Sequence, residues 1–156
     1  MISYRINQRE KLFTLTYSGD VAVTDWAEAV SRAIAECPQV VTYDSINDMR
    51  FPHTFLPPGQ MGRLVDSVRC AGMLSHPRRS VSIVGSRTHF GIARMFELAS
   101  EHESKVERLT TDSIEEAADW LRRSKDLIQA ELDAMAVSAE SGSGADGAPP
   151  VSVGSK

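Results

Sequence analysis

The segment Gly85-Ser86-Arg87-Thr88-His89-Phe90-Gly91 brings together residue types that could do chemistry. A predicted strand runs into a predicted helix there. Free backbone N–H groups and the positive end of a helix dipole therefore fall beside Arg87 and His89, a setting that suits an anion. The plainer reading is that Ser86 or Thr88 caps the helix, while Gly85 and Gly91 allow the turn and close packing. The segment carries neither Gly-x-x-x-x-Gly-Lys-Ser/Thr nor Gly-x-Gly-x-x-Gly, so it is not an ordinary nucleotide loop or dinucleotide fingerprint.

Other reactive side chains are scattered. The histidines are His53, His76, His89 and His102, with no i, i+4 pair and no His-Glu-x-x-His, so neither a metal nor another cofactor is expected. His53 and His89 could act as acid or base if the fold brought them to one cleft; the plainer reading is surface histidines. There is no Gly-x-Ser-x-Gly elbow around a serine, and no catalytic residue is assigned. Asp44 and Asp48 could face a cleft at the end of a strand, or Asn47 and Asp48 could serve turn chemistry. A ligand pocket can nonetheless be drawn. Phe51, Phe55 and Leu56, in a Pro-rich roof over residues 51–58, would cover the apolar part of a small acid, and Arg87, His89 and Arg94 would line the pocket.

The elements that must position these residues follow from periodicity. Residues 2–7 and 11–18 read as a hairpin, the second strand alternating Phe13, Leu15 and Tyr17 with Thr14 and Thr16. Gly19-Asp20 breaks that strand. Thr24-Asp25 opens a helix with the stripe Trp26, Ala27, Val30, Ala33 and Ile34, which Pro38 stops. Val40, Val41, Tyr43 and Ile46 make a buried strand, and Pro52, Pro57, Pro58 and Gly59 make residues 51–59 a loop. Met61, Leu64, Val65, Val68 and Ala71 form one helical stripe.

Ser80 to Val84 alternates serines with Val81 and Ile83 as a strand, and a helix begins near Thr88. Residues 105–109 read as a charged edge strand. Asp112-x-x-Glu115 matches a capping box for a last helix that runs on to about Val137. Alternation of this kind favours an α/β fold with parallel neighbours in the sheet. The reading is one α/β domain over residues 1–123, a helical extension over 124–137 and a disordered Ser/Gly/Pro-rich tail over 138–156.

With 42% apolar and 24% charged residues in 156, the chain has the makings of one globular domain with a sizeable core. No run reaches the roughly 18 apolar residues of a membrane span, and the start lacks a signal-peptide layout, so the chain reads as cytoplasmic. Cys37 and Cys70 are expected as buried thiols. The 17 basic residues against 21 acidic ones are unevenly spread. Residues 51–100 hold six arginines against two acids, whereas residues 101–156 hold twelve acids against six bases. A mild basic patch on an acidic chain does not point to nucleic acid.

Ser82-Ile83-Val84-Gly85, Phe90-Gly91-Ile92-Ala93-Arg94-Met95 and Glu115-Glu116-Ala117-Ala118-Asp119-Trp120-Leu121 resemble a bacterial SpoIIAA-like group of the STAS-like superfamily, over roughly residues 1–123. The resemblance implies a mixed sheet of about five strands with about four helices, beginning with a hairpin. It implies Phe90, Gly91, Ala93, Arg94 and Met95 as fold determinants, and Trp120 and Leu121 as packing residues. It also implies a regulatory protein-binding module; the related CRAL-TRIO architecture holds apolar ligands. The phosphoserine loop of anti-sigma-factor antagonists does not carry over to Asp44-Ser45-Ile46-Asn47, which lacks the glycine and the helix start. The expected function is thus a non-enzymatic module for a protein partner, with a homodimer through the last helix as one form. The alternative is a carrier or enzyme for a small acidic or apolar ligand.

Overall fold

A computed structural model describes residues 1–57 and 59–141, with the side chains of 139–141 left aside. Strands β1 (Ile2–Asn7) and β2 (Leu12–Val21) pair antiparallel, from Ile2 opposite Tyr17 to Asn7 opposite Leu12. Strands β3 (Asp44–Phe55), β4 (Arg78–Val84) and β5 (Val106–Thr111) then add in parallel, giving one mixed five-stranded sheet in the order β1-β2-β3-β4-β5. The expected α/β architecture with its opening hairpin is the observed one. Helices α1 (Val23–Glu36), α2 (Met61–Cys70) and α3 (Arg87–Ser100) connect the parallel strands, and α4 (Ile114–Leu121) and α5 (Lys125–Ser141) follow β5.

Both faces of the sheet are covered. On one, Phe13, Leu15, Tyr17 and Met49 meet Trp26, Val30, Leu64, Val68 and Ala93 from α1, α2 and α3. On the other, Leu12, Ile46, Val81 and Ile83 meet Ala117, Ala118 and Leu121 of α4 and Ile128 and Leu132 of α5. The strict alternation of a strand delivers the strand members of both sets, successive residues pointing to opposite faces.

Several local expectations need correction. Strand β3 runs through Pro52, where a loop was expected, and Val40 and Val41 sit in a 3₁₀ turn, Pro38–Thr42. The β3–β4 register ends at Met49 opposite Val84, so Pro52 pairs with β2 alone and its missing N–H leaves no gap in a ladder on the β4 side. Gly19 takes φ +62° between register irregularities, which lets β2 bend and continue to Val21 instead of breaking.

Helix caps shift by a residue or more. The N-cap of α1 is Ala22, whose N–H donates to Asp25 at 2.9 Å; that of α3 is Ser86, whose Oγ accepts the His89 N–H at 3.2 Å. Helix α4 starts from Ser113, which accepts the Glu116 N–H at 3.2 Å, one residue later than the Asp112 box. The long last helix is divided by Arg122, left-handed at φ 55°, into α4 and α5. Helix α5 continues to Ser141, past the expected start of the tail; residues 142–156 lie outside the described residues. Cys37 is buried as expected, but Cys70 is exposed at the end of α2.

Gly85 alone answers the close-packing reading of the 85–91 segment. A Cβ there would lie 2.6 Å from the Arg50 carbonyl oxygen, whereas one on Gly91 would meet open space.

Candidate functional site

The sheet face beneath α1, α2 and α3 is mixed in polarity. Its β2 contribution is apolar, but β3 and β4 contribute Ser45, Asn47, Arg78, Ser80 and Ser82, and β5 contributes Arg108. Period-two alternation accounts for this: Val81 and Ile83 face the α4/α5 layer, so the serines between them must face the other way. Because helices cover that face as well, these polar groups are enclosed instead of solvated.

They floor a cavity of about 70 Å³ walled by Leu15, Trp26, Met49, Phe55, Leu64 and Val68. A hydrogen-bonded chain crosses the floor. The Tyr17 hydroxyl donates to Asn47 Oδ1 at 3.1 Å, Asn47 Nδ2 to Ser80 Oγ at 3.2 Å, and Ser45 Oγ to Ser80 Oγ at 2.8 Å. Arg78 donates through Nη1 to Ser45 Oγ at 2.8 Å and through Nη2 to the Met73 carbonyl at 2.9 Å.

The two arginines set the electrostatics. Arg78 is only 8% exposed and its partners are all neutral, with Nε left without any. Arg108 has Nε and Nη2 buried without a partner, and its Cζ lies 4.7 Å from the Phe96 ring centroid. Burial pushes the Arg78 guanidinium down to about 10, with Arg108 adding to the shift. Burial likewise pushes Arg108 down to about 10, against the pull of Glu97 and Tyr17. Both therefore remain cationic at neutral pH, in a place where an uncompensated charge is costly. The one carboxylate lining the cavity among the described residues, Glu97, already binds Arg94 and accepts a hydrogen bond from the Thr110 hydroxyl. Burial also raises the Tyr17 hydroxyl, which stays a protonated donor. Such a site can bind an anionic or polar group below an apolar body.

The five residues read from the sequence do not meet here. Phe55 lines the cavity. Phe51 and Arg87 share an outer groove with Arg50 and Phe90 at the C-terminal ends of the parallel strands. His89 is buried on α3 with Nδ1 unpartnered, and it lines neither the cavity nor that groove. Arg94 pairs with Glu97 in an outer cleft that shares Glu97 and Arg108 with the cavity. Asp44 and Asp48 hold structure: Asp44 binds Arg123 at 2.7 Å, and buried Asp48 accepts both Nε and Nη2 of Arg50 at 2.8 and 2.9 Å. Asn47 and Asp48 lie within β3, not in a turn.

Of the residues implied as fold determinants, Ala93 is core, while Phe90, Gly91, Arg94 and Met95 are exposed; of the implied packing residues, Leu121 is core. Trp120 is half-buried, with Arg79 over its ring. The cavity residues missed by the sequence reading were Asn47, Arg78, Ser80, Ser82 and Arg108. The signal available was Ser80-x-Ser82, polar on the second face of a strand that must sit inside the sheet.

Among the described residues no helix is long and apolar enough to cross a membrane, and no group of three or more His, Cys, Asp or Glu could hold a metal ion. Comparison with family models, with curated proteins and with solved structures finds no match.

Proposed function

We propose that this protein is a small-molecule binding module that takes an organic ligand into the cavity between the sheet and helices α1 to α3, polar end to the floor and apolar body to the helices. The observation that carries the reading is the pair Arg78, buried, and Arg108, half-buried, beside a hydroxyl-lined floor, with three closed-off guanidinium nitrogens lacking any acceptor. A purely structural core has little use for such donors, because each unsatisfied buried polar group costs about 1–3 kcal/mol. Membership of the SpoIIAA-like group belongs to the same proposal and is in keeping with a mixed sheet that begins with a hairpin.

Native mass spectrometry of the purified protein, set against its denatured mass, tests the reading together with the cavity-filling variant Ala93→Leu. A retained small molecule, or a thermal shift with small organic compounds, that disappears in the folded variant is the expected result. No retained mass and no shift across acids and neutral compounds alike would remove the cavity as a site. The protein-partner reading is favoured by a separate observation: Phe90, Met95 and Leu98 stand exposed on the outer side of α3, at 43%, 57% and 63%.

A further inference from the structure

We infer that the molecule taken into the cavity is a compact monocarboxylic acid, held through both carboxylate oxygens by the side-on fork of Arg108. The inference rests on the binding role proposed above and names the chemistry of the ligand. Its first support is which atoms are free. Nε and Nη2 form one edge of a guanidinium, two parallel N–H groups spaced for the two oxygens of a carboxylate. This chain uses that edge once already: Arg50 Nε and Nη2 clasp the Asp48 carboxylate at 2.8 and 2.9 Å. On Arg108 the same two nitrogens are closed off from solvent and bound to nothing. The side chain lines the cavity, and its fork reaches a carboxylate lodged there only if the outer torsions turn from their present packing against the Phe96 ring.

Charge narrows the class. Two guanidinium cations line the cavity, and Glu97, its one carboxylate among the described residues, is already paired with Arg94, so the cavity keeps a net positive charge that an anion neutralises. A phosphate dianion would place its second charge near Glu97, which already acts on Arg108. A primary amide would put its own N–H donors against guanidinium donors, a mismatch that rejects neutral analogues of the same shape. Size narrows it further, since about 70 Å³ is well below the roughly 150 Å³ of an apolar cavity that holds benzene. The body of the acid is therefore a few carbons, packed among Leu15, Trp26, Met49, Leu64 and Val68.

Calorimetric titration of the full chain with sodium butyrate, butyramide and inorganic phosphate tests this, using wild type and Arg108→Lys. Butyrate is expected to bind about tenfold or more tightly than butyramide, with phosphate weaker than butyrate. Arg108→Lys, which keeps the charge and loses the fork, is expected to weaken butyrate by about tenfold while leaving butyramide unchanged. Butyramide binding as well as butyrate overturns the carboxylate assignment but leaves the cavity a ligand site, and phosphate preferred over butyrate does the same. Unaltered butyrate affinity in Arg108→Lys overturns the role of the fork. No binding of any of the three overturns the inference, and the retained mass of the purified protein then judges the binding role separately. The butyrate-to-butyramide comparison needs no variant, so it holds even where the substitution disturbs folding.

Discussion

Arg108 and Tyr17 show how single side chains on one sheet face trade stability against availability for a ligand. Arg108 is a half-buried cation with Nε and Nη2 closed off and no hydrogen-bonded counter-charge among the described residues, its compensation being the Phe96 ring face and the nearby Glu97. Replacing such a group by an apolar side chain of similar length is often neutral or stabilising. Arg108→Met is therefore expected to unfold in denaturant at the wild-type midpoint or above it, by up to about 1 kcal/mol. A loss beyond about 2 kcal/mol would instead make the guanidinium a structural anchor.

Tyr17 supplies a pH signature. Burial raises its hydroxyl above the ordinary tyrosine value near 10, so its contribution to stability is fully present below that pH and is lost as pH climbs beyond it. The unfolded chain gives up this proton first, which draws the equilibrium toward unfolding. Unfolding free energies measured from neutral pH into the alkaline range should fall more steeply for wild type than for Tyr17→Phe. Parallel curves would mean that Tyr17 ionises equally well in the folded protein.

At the scale of elements, helix α5 packs an apolar stripe against the sheet of its own chain. Its apolar spacing suggested an extension available for dimerisation. Ile128, Leu132 and Met135 are instead buried at 0%, 3% and 3%, the first two in the cluster built on Leu12, Ile46, Val81 and Ile83. Glu131, on the same helix, accepts from Arg5 at 3.1 Å and Asn7 at 2.6 Å and so ties α5 to β1. Left-handed Arg122 makes this possible, because it ends α4 and lets α5 turn back over the sheet. Ile128→Ala should cost about 2–5 kcal/mol in chemical unfolding, with a midpoint that does not move with protein concentration. A cost that grows with concentration would return α5 to an interface between copies.

Considered as one molecule, the protein is a sheet whose two faces differ in kind. The face toward α4 and α5 is closed over by aliphatic side chains; the face toward α1, α2 and α3 encloses hydroxyls, an amide and two guanidinium groups around a void. Strands β3 and β4 lie inside the order and are paired on both sides over Ser45–Asp48 and Ser80–Ile83, whereas β3 beyond Met49 pairs with β2 only, through Phe51, Pro52, Thr54 and Phe55. Hydrogen exchange should accordingly be slowest for Ile46, Val81 and Ile83, and faster for Phe51 and His53 on the half-paired stretch. Equal protection along all of β3 would show that something else covers that edge.

Much of the architecture was legible in the chain alone. Alternation at Phe13, Leu15 and Tyr17, the helical stripe from Met61 to Ala71 and the charged β5 each report a local period, and a period survives whatever the element packs against. The candidate pocket residues were legible only as types. Arg87, His89 and Arg94 are close in sequence, yet the helix carrying them turns Arg87 and Arg94 outward and buries His89 away from the cavity. The cavity depends on Tyr17, Asn47, Arg78, Ser80 and Arg108, which come from four strands. The sequence by itself determined most of the elements, their order and which residues share a face of a strand, because these follow from backbone geometry over a few neighbours. Only the tertiary structure decided that the serine-bearing face lies under helices and not in water. Covering that face takes α1, α2 and α3 together, and no local pattern records what a distant element will bury.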